Sequence, residues 1–224
     1  SATYRVVASS FFIWIFNLRI RMETISLTHP ILFHIPHASR IIPINVRPSL
    51  MLSDEELDHE LTKMTDAYTD ALFALDSNIP RVAFPISRLV VDPERFLDDD
   101  KEMMAARGMG VIYSHTSDGR PLRLRPTVEE REKLIDRYYR PHHQALEACT
   151  STCVGQLGRC LIIDCHSFPS VPLPYEDYQD SDRPDICIGT DDFHTPKQIE
   201  NKIIQIFNSL QVRMIFLSLI EPPG

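Results

Sequence analysis

Two short apolar runs of this sequence lead into histidines. Ile31 to Ile35 contains His34, stops at Pro36 and is followed by His37; Arg159 to Asp164, RCLIID, is followed by Cys165 and His166. A neutral imidazole is the commonest protein ligand for zinc, and a strand end holds it rigidly. A catalytic zinc takes three protein ligands and leaves a fourth position for water, so two histidines and one carboxylate would suffice. The stretch Thr65-Asp66-Ala67-Tyr68-Thr69-Asp70 offers two aspartates. Ser39 and Ser167 stand beside these histidines, but no G-x-S-x-G elbow surrounds either. They read as hydroxyls that orient the imidazoles.

The elements must bring these groups together. Both histidine runs read as buried strands, and ligands collect outside the carboxyl ends of strands in an open α/β sheet. Ser53 followed by Asp54, Glu55 and Glu56 starts a helix, a hydroxyl cap with acids in the first turn. Leu57, Leu61, Met64, Tyr68, Leu72 and Leu75 then recur at helical spacing. On one continuous helix Asp66 lies opposite that stripe and faces solvent. It turns inward only if the helix breaks near Lys63 and a second begins with Thr65 as cap. Asp66 and Asp70 both stay open as the carboxylate.

Arg81 to Pro85, Leu89 to Val91 and Ile186 to Ile188 read as further strands. Val128 to Cys149 reads as a helix, and Thr195 to Leu210 as another, capped by Thr195 and started by Pro196. Strands alternating with helices predict an α/β layer fold with a mixed, mostly parallel sheet.

Composition excludes several classes. With 224 residues, 43% hydrophobic and 24% charged, the chain suits one globular domain. A net charge of -8 and a pI near 5.6 argue against nucleic-acid binding. A small anionic substrate stays allowed, because a few arginines override the global field locally. The five cysteines form no C-x-x-C pair, which predicts reduced thiols in a cytoplasmic protein. FFIWIFNLRI, Phe11 to Ile20, is too short for a bilayer, which needs about 20 apolar residues. Residues 1–22 therefore read as leader or upstream sequence, and 23–224 as a single domain.

The segments HIPHAS, TDAYTDALF, SRLVVDPERF, YYRPHHQAL, IIDCHSFPS and PDICIGTDDFHTP, in that order from about Leu32 to about Pro196, resemble the N-formylglutamate amidohydrolase (deformylase) family. The resemblance implies a three-layer αβα fold related to the zinc carboxypeptidases. It implies removal of the formyl group from N-formyl-L-glutamate or a related N-acyl amino acid, in histidine degradation, by an enzyme that needs neither membrane nor nucleic acid. It also implies one zinc on His37, His166 and Asp66, and so the broken helix.

In that light Arg88 and Arg95 become carboxylate binders, because a guanidinium fork grips a carboxylate bidentately. Glu94 departs from the asparagine usual in the family, and a glutamate there weakens anion binding. His143 is similarly placed to a family histidine that contacts the site. The family's general base is a glutamate on a late strand, and the chain stops at Glu221 to Gly224, so the chain reads as lacking its C-terminal part. Glu176 is the fallback base. The alternative is a metal-binding homologue with weak or no activity.

Overall fold

The computed structural model describes residues 4–12, 29–74, 78–180, 182–190, 193–210 and 213–218. Strands β1 (Tyr4–Phe12), β2 (Ile31–Ile35), β3 (Arg81–Ala83), β4 (Leu161–Pro169), β5 (Ile186–Thr190) and β6 (Met214–Ser218) form one sheet. Their spatial order is β3-β2-β4-β1-β5-β6. Among the described residues the pairings β2–β3, β2–β4, β1–β5 and β5–β6 are parallel, and β1–β4 is antiparallel. The sheet is thus mixed and mostly parallel. The α-helices among these residues are α1 (Asp54–Met64), α2 (Thr69–Leu72), α3 (Val128–Leu134), α4 (Arg140–Leu157) and α5 (Lys197–Ser209). The backbone of Tyr4–Phe12, set aside in the sequence as leader, runs between β4 and β5. Residues 13–22 lie outside the described residues, as do Leu75 and the terminal Glu221.

Helix α1 begins as its sequence dictates. Ser53 Oγ accepts from Glu56 N at 3.2 Å, and Ser53 N donates to Glu56 Oε2 at 2.9 Å, a reciprocal capping box. Leu57, Leu61 and Met64 pack with Leu50, Leu52, Leu89, Met109, Tyr113 and Leu122. The helix then stops, and the continuous stripe is not realised. Thr65 is extended (φ -91°, ψ 132°) and Tyr68 is left-handed (φ 68°). Tyr68 and Leu72 are consequently exposed. The break lets Asp66 N donate to His37 O at 3.0 Å, tying it to the loop after β2. The second helix starts at Thr69, later than a Thr65 cap would place it.

Two further expectations are corrected. Leu89 to Val91 is not a strand: these residues are fully buried in a turn, with Val90 N donating to Ser87 O and Asp92 N to Val111 O. A short apolar run signals burial without specifying backbone shape. The helix expected to end at Cys149 continues to Leu157 and stops at left-handed Gly158. Thr150 and Thr152 lie within the helix and satisfy their hydroxyls by donating back to the carbonyls of Leu146 and Ala148, both at 2.8 Å.

Helix α4 packs on β2 and β3. Leu32, Val82 and Ile162 from the strands meet Cys153, Val154 and Cys160 in one apolar cluster. Each such aliphatic side chain stabilises by about 1.5–3 kcal/mol when buried. This cluster fixes the sheet face from which the histidines emerge.

Candidate functional site

Strands β2 and β4 lie in register, with Leu32 opposite Ile162 and His34 opposite Asp164. Side chains alternate along a strand, so residues 32 and 34 share a face with 162, 164 and 166. That face is apolar under the C-terminal half of α4 and polar at the carboxyl ends of the strands. There the start of α4 brings His142 to His34, with Nε2 to Nε2 at 2.8 Å. Burial first, then the neighbouring His34 and His143, lowers the His142 pKa to about 3.

His37, just past β2, is 1% exposed. Its ring lies 5.2 Å from that of His166, centroid to centroid. His37 Nε2 is 2.9 Å from Asp92 Oδ1, while Nδ1 is buried without a hydrogen-bond partner. Facing Nδ1 are Glu94 Oε2 at 3.4 Å and Asp66 Oδ2 at 3.8 Å. His166 Nδ1 meets Asp66 Oδ2 at 2.8 Å, and its Nε2 lies 3.2 Å from Glu94 Oε1 and 3.4 Å from Asp164 Oδ1.

Electrostatics explain the protonation states. Burial favours the neutral form of Asp92, but Arg88 and His37 outweigh it and hold the carboxyl well below its usual range. Burial likewise opposes charge on Asp66, yet the hydrogen bond from His166 and the nearby His37 imidazole keep it ionised. Burial and Arg88 oppose a charge on His37, and Asp92, Glu94 and Asp66 override them to raise its pKa. His166 is raised well above the ordinary value, as Glu94 and Asp164 overcome burial.

This donor set fits a divalent cation. An ionised Asp92 only accepts, so His37 Nε2 carries a hydrogen and donates it. The space between Nδ1 and the carboxylates of Glu94 and Asp66 then needs positive charge, from a proton or a metal ion. His37, Glu94 and His166 each present a donor atom, all within 4.8 Å of one another.

The remaining expected residues fall around this centre. Arg88 Nε and Nη2 donate to Asp92 Oδ2 at 3.2 and 2.9 Å, and Nη1 lies 3.7 Å from Asp66 Oδ1. Arg95 sits between Asp92 Oδ2 and Glu102 Oε1, each at 3.5 Å. His143 Nε2 donates to Pro93 O at 2.8 Å and so braces the loop that carries Asp92 and Glu94. Glu176 is paired with Arg183 at 2.7 Å. Asp70 is exposed and bonds the backbone of Ala71, away from the histidines. The hydroxyls of Ser39 and Ser167 donate to Pro85 O and Ala67 O, not to the imidazoles.

A cavity of about 350 Å³ opens onto Asp66, Arg88 and His166 and is also lined by Tyr175, Glu176 and Arg183. Arg95 and His143 do not line it. Hollows of about 500 and 630 Å³ lie elsewhere, away from the histidine cluster.

Sequence reasoning missed Tyr113, which is fully buried and donates to Asp92 Oδ2 at 2.6 Å. No spacing in the sequence points to it. It also passed over His34 and Asp164 as a pair, although alternation from Leu32 and Ile162 places both on the histidine face.

Residues 29–215 match the family model described as N-formylglutamate amidohydrolase. A curated N-formylglutamate deformylase of Pseudomonas putida is 31% identical over 165 residues, 72% of this chain and 59% of that protein. The chain therefore spans less than two thirds of that relative. The fold is similar to a crystal structure of N-formylglutamate amidohydrolase from Ralstonia eutropha JMP134, with a TM-score of 0.58 and 15% identity over 96% of this chain and 76% of the other. The chain belongs to the N-formylglutamate amidohydrolase family.

Proposed function

We propose that this chain hydrolyses the formyl amide of N-formyl-L-glutamate, or of a closely related N-acyl amino acid, at one zinc ion. The observation that carries the reading is the pair His37 and His166, 5.2 Å apart with carboxylates between them and with His37 Nδ1 unpartnered. His37 and His166 would hold the ion, with Glu94 as the carboxylate of the donor group and Asp66, the carboxylate implied by resemblance, beside it. The same reading allies the fold with three-layer zinc carboxypeptidase-like hydrolases; the mostly parallel sheet and the packing of α4 on one face support it.

When bound, the ion supplies a Lewis acid for the amide oxygen and a water whose pKa falls toward ~7. The chain does the rest. Asp92 takes the His37 Nε2 hydrogen and fixes that ring, and Asp66 does the same at His166 Nδ1. Arg88, through the Nη1 that its pairing with Asp92 leaves over, and Arg183 line the cavity, two positive charges that suit a substrate with two carboxylates. Glu176 lies on the same cavity wall, engaged by Arg183. A substrate carboxylate that draws Arg183 away frees Glu176 to move a proton to the leaving amine. The family and the curated relative both carry a hydrolase's name, which favours the enzyme over an inactive binding homologue.

The test is formate release by the purified, zinc-loaded chain from N-formyl-L-glutamate, with N-formyl-L-leucine and N-acetyl-L-glutamate beside it. Formate from the dicarboxylate in preference to the leucine compound supports the reading. No hydrolysis of any of the three by zinc-loaded protein would overturn it.

A further inference from the structure

Glu94 belongs to two donor groups at once. One is the group with His37 and His166; the other joins it to His34 and Asp164, with the three donor atoms again within 4.8 Å of one another among the described residues. His34 and Asp164 play no part in the proposed hydrolysis.

Asp164 is 7% exposed, and its Oδ1 has no hydrogen-bond partner. This is so although Oδ1 lies 2.9 Å from His34 Nδ1 and 3.4 Å from His166 Nε2. A buried carboxylate oxygen thus faces two imidazole nitrogens without a hydrogen directed at it. A buried carboxylate oxygen that no hydrogen bond satisfies is costly, and a cation between these atoms removes the cost.

His34 is arranged for the same purpose. It is 6% exposed, and its Nε2 shares a hydrogen with His142 Nε2 at 2.8 Å. A hydrogen on His34 Nε2 leaves Nδ1 with a lone pair turned to Asp164, and a metal-bound histidine generally donates its other ring N–H in this way.

Glu94 turns Oε2 towards His37 Nδ1 and Oε1 towards His166 Nε2, both in the first group, while one of its oxygens also lies within 4.8 Å of the donor atoms of His34 and Asp164. The charge distribution agrees: Asp66 and Asp92 face the guanidinium of Arg88, and Asp92 also that of Arg95, whereas among the described residues the ion pairs of Glu94 and Asp164 are with imidazoles.

We propose that the chain binds a second divalent cation next to the first, held by His34, Asp164 and one oxygen of Glu94, with the Glu94 carboxylate bridging the two ions. Paired hydrolytic cations stand about 3.5–4 Å apart, within the span of one bridging carboxylate. A donor set of one imidazole and two carboxylates suits zinc or manganese. The inference rests on the reading that His37 and His166 hold the first ion.

The experiment is metal content of the full chain, stripped with chelator and dialysed against zinc or manganese chloride. Wild type should hold two ions and Asp164→Asn one, while Glu94→Gln should lose the second and bind the first more weakly. Manganese-loaded wild type should give an exchange-coupled electron paramagnetic resonance spectrum that Asp164→Asn abolishes. If Asp164→Asn fails to fold by circular dichroism, His34→Gln replaces it with the same expectation. One ion in wild type, lost in His166→Ala, overturns the second site and leaves the first. Two ions unchanged by Asp164→Asn also overturn it, and none at all overturns both readings.

Discussion

Glu94 stands between two histidines from distant parts of the chain, with Oε2 3.4 Å from His37 Nδ1 and Oε1 3.2 Å from His166 Nε2. Its effect on the cation is therefore direct. Glu94→Gln should weaken zinc binding by at least about 10- to 100-fold, the loss that altering even a group behind a metal ligand brings. Competition with a chromophoric chelator measures it. Unchanged affinity would assign the carboxylate role to Asp66 alone.

The histidines also set a pH dependence. In the metal-free protein the pKa values of His37 and His166 are raised above the ordinary 6.5. A raised folded-state pKa contributes stability that is complete below the unfolded value and is lost as pH rises through the folded value. A cation displaces those protons, so alkaline pH removes the protons' contribution and favours the metal. The gain in Tm on adding zinc should grow from about pH 6 to about pH 9. A gain that shrinks over that range would contradict the assignment.

Asp92 holds the site together, since it takes hydrogen bonds from His37, Arg88 and Tyr113 while fully buried. Asp92→Asn breaks a buried ion pair and should cost about 3–5 kcal/mol. Tyr113→Phe removes one hydrogen bond to a charged group and should cost about 1.5–3 kcal/mol. Urea unfolding of both variants checks the order. A larger loss for Tyr113→Phe would mean that Asp92 is not the hub.

Glu176 and Arg183 should separate kinetically. Glu176→Gln should lower kcat by about 10²–10⁴-fold with little change in KM. Arg183→Ala should chiefly raise KM for the dicarboxylate substrate. Equal effects on both constants in the two variants would argue that the pair is structural.

Much of the positioning was legible in the sequence. The hydroxyl cap at Ser53 with its first-turn acids and the buried strand that ends just before His37 follow from local rules; His166, expected just past a strand ending at Asp164, lies instead inside β4, which runs on to Pro169. The helix break at Thr65 was not legible from periodicity, because Tyr68 and Leu72 continue the apolar spacing although both are exposed. The broken chain is tied down by a through-space bond, Asp66 N to His37 O. Only resemblance to the family pointed to it. Glu94 read as a hindrance to substrate binding, because its neighbour in sequence is Arg95; its neighbours in space are imidazoles. Leu89 to Val91 read as a strand because burial and strand share one apolar signature, and a turn in the core satisfies it as well.

The central claim is that His37 and His166 hold a divalent cation that the hydrolysis requires. Zinc content and formate release from N-formyl-L-glutamate, measured on the same preparations of wild type and His166→Ala, test it most directly. Bound zinc and formate release in wild type, both largely lost in the variant, are the predicted results. Zinc content unchanged by His166→Ala, or formate release that persists after the zinc is gone, would contradict it.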